Sequence, residues 1–288
     1  MTGFANLAAL VDAELEGRSI TVFRKVPAVV TVAGVWYDYS MAPGKPAPQY
    51  YAAAPLTAQP LSRSADGGLD HGGNVGGGVK YLRRLMAMCV TVGGVPQNFR
   101  LLDYLLFYPF VDMGTADKQD MTNVQTLTRY IGGAGVQMMA VLVAPHGLAG
   151  DTFVVTYTNS EGDAGRVTPL HTMTTGTAVN GTILTTSANL AGSAGPFMTL
   201  QAGDTGVSSI QSVQCTAGTD VGLFTLALVK PLANFTLRGR DAPVEVDYLI
   251  DFSQVPAIVD DAYLNFISCP SGSLSAAALV GTLEVAWD

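Results

Sequence analysis

Three histidines, His71, His146 and His171, are the first residues to weigh for chemistry. None lies in an HExxH motif and no two share helical spacing, so no local pair could ligate a metal from one helix face. His71 and His146 each stand beside glycine, a setting that suits turns. The cysteines, Cys89, Cys215 and Cys269, are odd in number, scattered and without a CxxC pair, which argues against a disulfide framework or a zinc site. They are expected to be reduced and to act as small buried hydrophobes. GxSxG, the strand-to-helix nucleophile elbow, does not occur. The run GGNVGGGVK (72–80) has the glycines of a phosphate loop without its GK[ST] ending, so it reads as a loop of flexible or tightly packed chain. Asn159, Glu161 and Asp163 place oxygens at alternate positions, as calcium loops do, but no glutamate follows at the bidentate distance. A hairpin turn with Gly162 or Gly165 at positive φ is the simpler expectation. Asp103, set among apolar residues, is either a surface position or a buried hydrogen-bonded acid, and one acid without a visible partner does not argue for acid–base work. No catalytic, cofactor-binding or metal-ligating residue is expected, and no enzyme.

Composition points instead to a protein that hides its surface. Charged residues make up 13% of the 288, and hydrophobic residues 48%. The usual charged share is about 25%, and a lone soluble chain needs charge to stay dispersed. Much of this surface is therefore expected to lie against partners. The net charge of −8 argues against direct nucleic-acid binding, which needs clustered Lys and Arg. The densest basic cluster, Lys80, Arg83 and Arg84, is spaced as one face of a short helix. The first fifteen residues lack a basic n-region and carry Asp12 and Glu14, unlike a secretory signal. No apolar run reaches the ~18 residues that span a bilayer, so no membrane partner is expected and the chain reads as soluble.

The elements that would position these residues follow from periodicity. Phe4, Leu7, Val11 and Leu15 recur at helical spacing, predicting an amphipathic helix over 2–16 with Thr2 as cap and Gly17 as stop. SITVF, AVVTV and GVWYDY predict strands within 19–39, broken at Pro27 and Gly34. Residues 41–60 hold five prolines, at 43, 46, 48, 55 and 60, which forbid a helix and favour an extended arm. That arm also carries Tyr50, Tyr51 and Leu56, more apolar surface than a solvated linker needs. Pro43, Pro46, Pro48, Tyr50, Tyr51 and Leu56 are therefore candidate contacts of a clasp onto a neighbouring subunit, the alternative being an arm lying over its own body. Residues 66–78, with seven glycines, must be a loop. A helix is expected over 80–90, and 101–110 is expected to be buried.

From 145 onward short β-type runs alternate with Gly, Asn, Ser and Asp at spacings of about 8–12 residues, the texture of an antiparallel sandwich or barrel. These runs are TFVVTYT, GRVTPL, GTILTT, FMTL, SIQSVQC, LFTLALV, FTLRG, VEVDYLI, YLNFIS and GTLEVAW. The predicted fold is mainly β, an antiparallel jelly-roll or β-sandwich with a more irregular N-terminal half bearing short helices. Residues 1–145 form the α+β region with the arm and 146–288 the β-sandwich region, unless the two are one continuous domain.

Several stretches resemble a family of virion structural proteins of tailed bacteriophages: VFRKVPAVVTVAGVWYDYSMAPGKPAPQYY (22–51), DGGLDHGGNV (66–75), LLDYLLFYPFVDM (101–113), TYTNSEGDAGRVTP (156–169), LQAGDTGVSSIQSV (200–213) and the closing TLEVAWD. The resemblance implies a head protein, one that decorates or cements the capsid, with copies of itself and other capsid proteins as partners and no cofactor. It implies a place in the virion, reached by assembly in the host cytoplasm. A major capsid protein, or a receptor- or glycan-binding tail component, are the alternatives; the first usually calls for a long charged spine helix, and none is visible here.

Overall fold

The computed structural model describes residues 6–16, 19–27, 29–76, 78–90, 95–147, 150–174, 179–186, 194–240, 242–252, 254–274 and 278–287. The chain opens with α1 (Leu7–Glu16) and β1 (Ser19–Lys25), then β2 (Tyr37–Asp38), a 3-10 turn (Tyr39–Met41), β3 (Gly44–Lys45), β4 (Gln59–Pro60) and the single turn α2 (Arg63–Asp66). Two long strands follow, β5 (Lys80–Cys89) and β6 (Gln97–Asp112), with β7 (Gln119–Asp120), β8 (Gln137–Ala144) and β9 (Thr152–Asn159) after them. Beyond these come β10 (Arg166–Val167), β11 (His171–Thr172), β12 (Val207–Cys215), β13 (Leu223–Leu237) and β14 (Val244–Asp247). The chain closes on β15 (Ala257–Ile258), β16 (Tyr263–Pro270) and β17 (Leu279–Trp287). The fold is mainly antiparallel β with few short helices, packed as sheets in the manner of a sandwich.

Among the described residues the strands form three sheets. A central sheet runs β2-β16-β6-β13-β8, with β4 also on β6. A terminal sheet runs β14-β5-β17-β1-β3, with β15 also on β5, and pairs the first strand with the last. A distal sheet runs β10-β9-β12-β7, with β11 on β9. Every sheet pairs strands from both sides of residue 145, so the change of texture there is not a boundary between sheets.

The central ribbon of β6 and β13 decides how the three sheets sit. QNFRLLDYLLFYPFVD is apolar on both faces, as a strand covered on both sides must be. Near its start Phe99 and Leu101 join Phe235, Leu237, Leu264 and Phe266 in one core with the terminal sheet. Near its end Leu106, Tyr108 and Val111 join Leu226 and Leu228 in a second core with Phe153, Val155 and Val213 of the distal sheet. The opposite face, with Leu102, Tyr104 and Phe107, forms a third core under Met41, Tyr51 and Leu61. Pro231 stands inside β13, where its missing N–H is accommodated at an irregularity between Pro231 and Ala233. LFTLALV and FTLRG are thus one strand and not two.

Several expectations are corrected. Residues 80–89 are strand, not helix: Lys80, Leu82, Leu85, Ala87 and Cys89 face inward, and a bulge opposite Glu284 and Val285 shifts the alternation between Leu82 and Leu85. The three basic residues therefore share no helix face. AVVTV forms no strand among its described residues, and GVWYDY contributes only β2. GTILTT supplies isolated bridges, FMTL none, and GRVTPL only the two residues of β10. In α1 the cap is Asn6, whose Oδ1 accepts from the Ala9 N–H at 3.0 Å; Thr2, Phe4 and Gly17 lie outside the described residues.

The seam between central and terminal sheets is aromatic. Phe99 and Phe235 stack with centroids 4.8 Å apart, and Phe266 packs against both and against Phe23 at 5.0 Å. Gly281 on β17 lets Phe23 approach, since a Cβ there would lie 2.6 Å from the Phe23 ring and 2.1 Å from the Met86 carbonyl. Phe266→Ala should cost about 3–5 kcal/mol, read as a lower urea midpoint at unchanged m. A loss below about 1 kcal/mol would show that this cluster does not join the sheets.

Candidate assembly surface

Several buried polar groups hold the chain to itself. Asp38, fully buried on β2, accepts from Tyr51 Oη at 2.6 Å, Tyr104 Oη at 2.7 Å, and the Ser40 N–H and Oγ at 2.8 Å each. Burial pushes its carboxyl up, against the pull of these four donors. Lys25, also buried, donates to the carbonyls of Pro46 at 3.0 Å and Ser40 at 3.4 Å. Burial lowers its ammonium to about 8, with Asp38 opposing.

This network ties part of the proline-rich arm to the chain's own body. Tyr51 is fully buried, its ring 5.3 Å from that of Phe107. Pro46 is buried, Pro48 half-buried, and Leu56 half-buried against the chain's own core. Only Pro43 and Tyr50 among the six candidates face solvent. The arm packs on its own body because Asp38, inside WYDYS, anchors it; nothing in the sequence marks that acid as buried.

A second network ties down the glycine-rich loop. Lys80 Nζ, fully buried, donates to His71 Nδ1 at 2.9 Å and to the Gly73 carbonyl at 3.2 Å, and it pairs with Asp260 at 3.1 Å. Because an ammonium only donates, Nδ1 accepts, and Nε2–H donates to the Ala262 carbonyl at 3.0 Å. His71 is thus neutral, its pKa lowered to about 4 by burial and then by Lys80. Asp260 also accepts from the Val75 and Gly76 N–H groups.

Asp103 and Asn159 are committed in the same way. Asp103 is buried, with Arg129 as a bidentate partner at 2.8 and 3.0 Å and the Tyr263 N–H at 3.0 Å. Burial raises it to about 6 against Arg129. Asn159 Oδ1 accepts from the Glu161 and Asp163 N–H groups, and Gly162 and Gly165 both take positive φ, so this segment is a side-chain-locked hairpin turn. His146 sits 3.6 Å from Asp220, and His171 lies 3.3 Å from the Thr199 carbonyl, so the three histidines stand in three separate places. Cys89 and Cys215 are buried free thiols and Cys269 is half-buried. Among the described residues no group of three or more His, Cys, Asp or Glu is placed to hold a metal ion.

What remains is the outside. The apolar stripe of α1 points away from the body: Leu7 is 75% exposed, Val11 48% and Leu15 78%, while only Ala13 is buried. α1 packs on β17 and is tied through Glu14 to Arg83 at 2.6 Å. Beside it the outer face of the terminal sheet shows Ile20, Val22 and Met86. Sequence periodicity identified the stripe but not its direction, which depends on what the rest of the fold leaves uncovered.

No family model matches the chain, and no curated protein does. Among solved structures it is similar to the infectious bursal disease virus VP2 subviral particle, at 10% identity over 94% of this chain and 81% of that one, with a TM-score of 0.19. At that score the two backbones do not superpose as one fold. Among the described residues, no helix is long and apolar enough to cross a membrane.

Two outcomes test the internal networks. Tyr51→Phe removes one donor to buried Asp38 and should cost about 1–3 kcal/mol, whereas exposed Tyr50→Ala should stay within about 0.5 kcal/mol. Equal losses in chemical denaturation would contradict the assignment. For His71 the folded pKa is depressed from 6.5 to about 4. The open state binds the proton more readily, so the contribution of His71 is complete above pH 6.5 and drains away as pH falls toward 4. Melting temperature should therefore drop more steeply over that window in the native chain than in His71→Gln. Parallel slopes would exclude His71 as the acid-sensitive group.

Proposed function

We propose that this chain is a structural subunit of a virus particle, one that decorates or cements the head of a tailed bacteriophage and performs no catalysis. The observation that carries the reading is the outward-facing stripe of α1, together with exposed Ile20 and Val22 on β1. Exposed apolar residues grouped in this way mark surfaces that partners cover. The low charge of the whole chain supports the same reading, because a subunit that is rarely free needs little charge to stay dispersed.

The interior favours it as well. The ionisable groups one would recruit for chemistry, Asp38, His71, Lys80 and Asp103, are buried and hold strands, arm and loop together. The resemblance of the 22–51, 101–113 and 156–169 segments to tailed-phage virion proteins supplies the finer statement of a head protein. Cementing fits a chain whose contacts are individually weak and repeated many times over a lattice.

Quantitative mass spectrometry of purified particles tests the role. The chain should be present in many copies, in fixed proportion to the main shell protein. A copy number matching a single tail or portal ring would move it out of the shell, and absence from the particle would end the proposal.

A further inference from the structure

The outer face of the terminal sheet has a direction, and its charges follow it. Antiparallel register aligns Ile20 with Glu284 and Arg84, Val22 with Thr282 and Met86, and Arg24 with Val280 and Met88. Lys45 on β3 lies beside Arg24. Both Arg24 and Lys45 are exposed, so this end is basic. Four residues of strand, about 13 Å, separate Arg24 from Ile20. At the Ile20 end sits α1, held by the Glu14–Arg83 pair, with Asp12 and Glu16 exposed. Between the two ends the exposed apolar residues are Val22 at 60%, Ile20 at 56% and Met86 at 39%, with Thr282 among them.

The helix sharpens this polarity. α1 has no acidic residue in its first turn and no basic residue in its last. Its C-terminal carbonyls carry partial negative charge, and Glu14 and Glu16 add to it, the reverse of what a free helix favours. β1 is also an edge over 19–23: β3 pairs with it only at Arg24 and Lys25, and among the described residues no other strand lies outside it.

We infer that this face docks against the same face of a second copy, in a two-fold arrangement that sets the basic Arg24–Lys45 end of each chain on the acidic α1 end of the other. A patch with acid at one pole, base at the other and apolar residues between is complementary to its own inverse, which is the requirement of an isologous interface. The Leu15, Ile20 and Val22 side chains then lose water together, and the charges fix orientation. The inference builds on the structural-subunit role and names the partner of that surface.

Sedimentation velocity of the purified full chain over a range of concentrations reads the association directly. The native chain should form a reversible dimer, and Val22→Glu should be monomeric. Arg24→Glu and Glu16→Lys should each raise the dimer dissociation constant roughly tenfold, since two symmetric pairs become repulsive. The double variant should recover most of that loss. All three positions are exposed, so circular dichroism should show native β content in each variant. A native chain that stays monomeric at the highest concentration, or a double variant no better than the worse single one, overturns the inference. Val22→Glu subunits that enter particles at native copy number also overturn it while leaving the structural role standing. Absence of the native chain from particles removes that role whatever the sedimentation shows.

Discussion

The pairing of β6 with β13 is the constraint on which the other elements depend. Sixteen residues of one strand run antiparallel to fifteen of the other, and the ribbon is buried on both faces over Leu101–Pro109 and Phe224–Val229. A ribbon of this kind cannot stay in water. It must be covered by the terminal sheet at one end, by the distal sheet at the other, and by the arm and neighbouring segments on its reverse face. Each cover contributes burial of aromatic and branched side chains, at about 1.5–3 kcal/mol for each fully buried one. Once the inner faces are spent in this way, no element among the described residues covers the outer face of the terminal sheet or the stripe of α1.

Buried polar residues show the same economy. Asp38, Asp103 and Lys80 would each be costly in an apolar interior without partners. Each is surrounded by donors or acceptors, at least one of them from a distant part of the chain: Tyr51 and Tyr104 for Asp38, Arg129 and Tyr263 for Asp103, His71 and Asp260 for Lys80. Such networks favour one arrangement of arm, loop and strands over others, because a half-made network leaves a charge buried and unmet. A subunit that must present the same surface at every lattice position has reason to be built so.

The strongest strands were legible in the sequence because their patterns were local. TFVVTYT, SIQSVQC, YLNFIS and GTLEVAW all fall inside β9, β12, β16 and β17, and the apolar 101–110 segment is the buried middle of β6. Lys80–Cys89 was misleading because two arginines and a bulge interrupt its alternation and imitate helical spacing. Pro231 likewise concealed the unity of β13. Prolines exclude a helix from the arm beyond Met41, but its docking turns on Asp38, which gathers Ser40 and Tyr51 from the nearby chain and Tyr104 from distant β6. The assembly surface was half visible. Leu7, Val11 and Leu15 advertised an amphipathic helix, yet an apolar stripe ordinarily faces the chain's own core. Only the finished fold shows it facing out.

The central claim, that α1 and the outer face of the terminal sheet are covered in the assembled state, is open to one direct measurement. Hydroxyl-radical footprinting compares side-chain oxidation in the free subunit and in intact particles. Leu7, Leu15, Ile20, Val22 and Met86 should react readily in the free chain and fall sharply on assembly, with Met86 the most sensitive reporter. Equal oxidation of these residues in both states would contradict the claim.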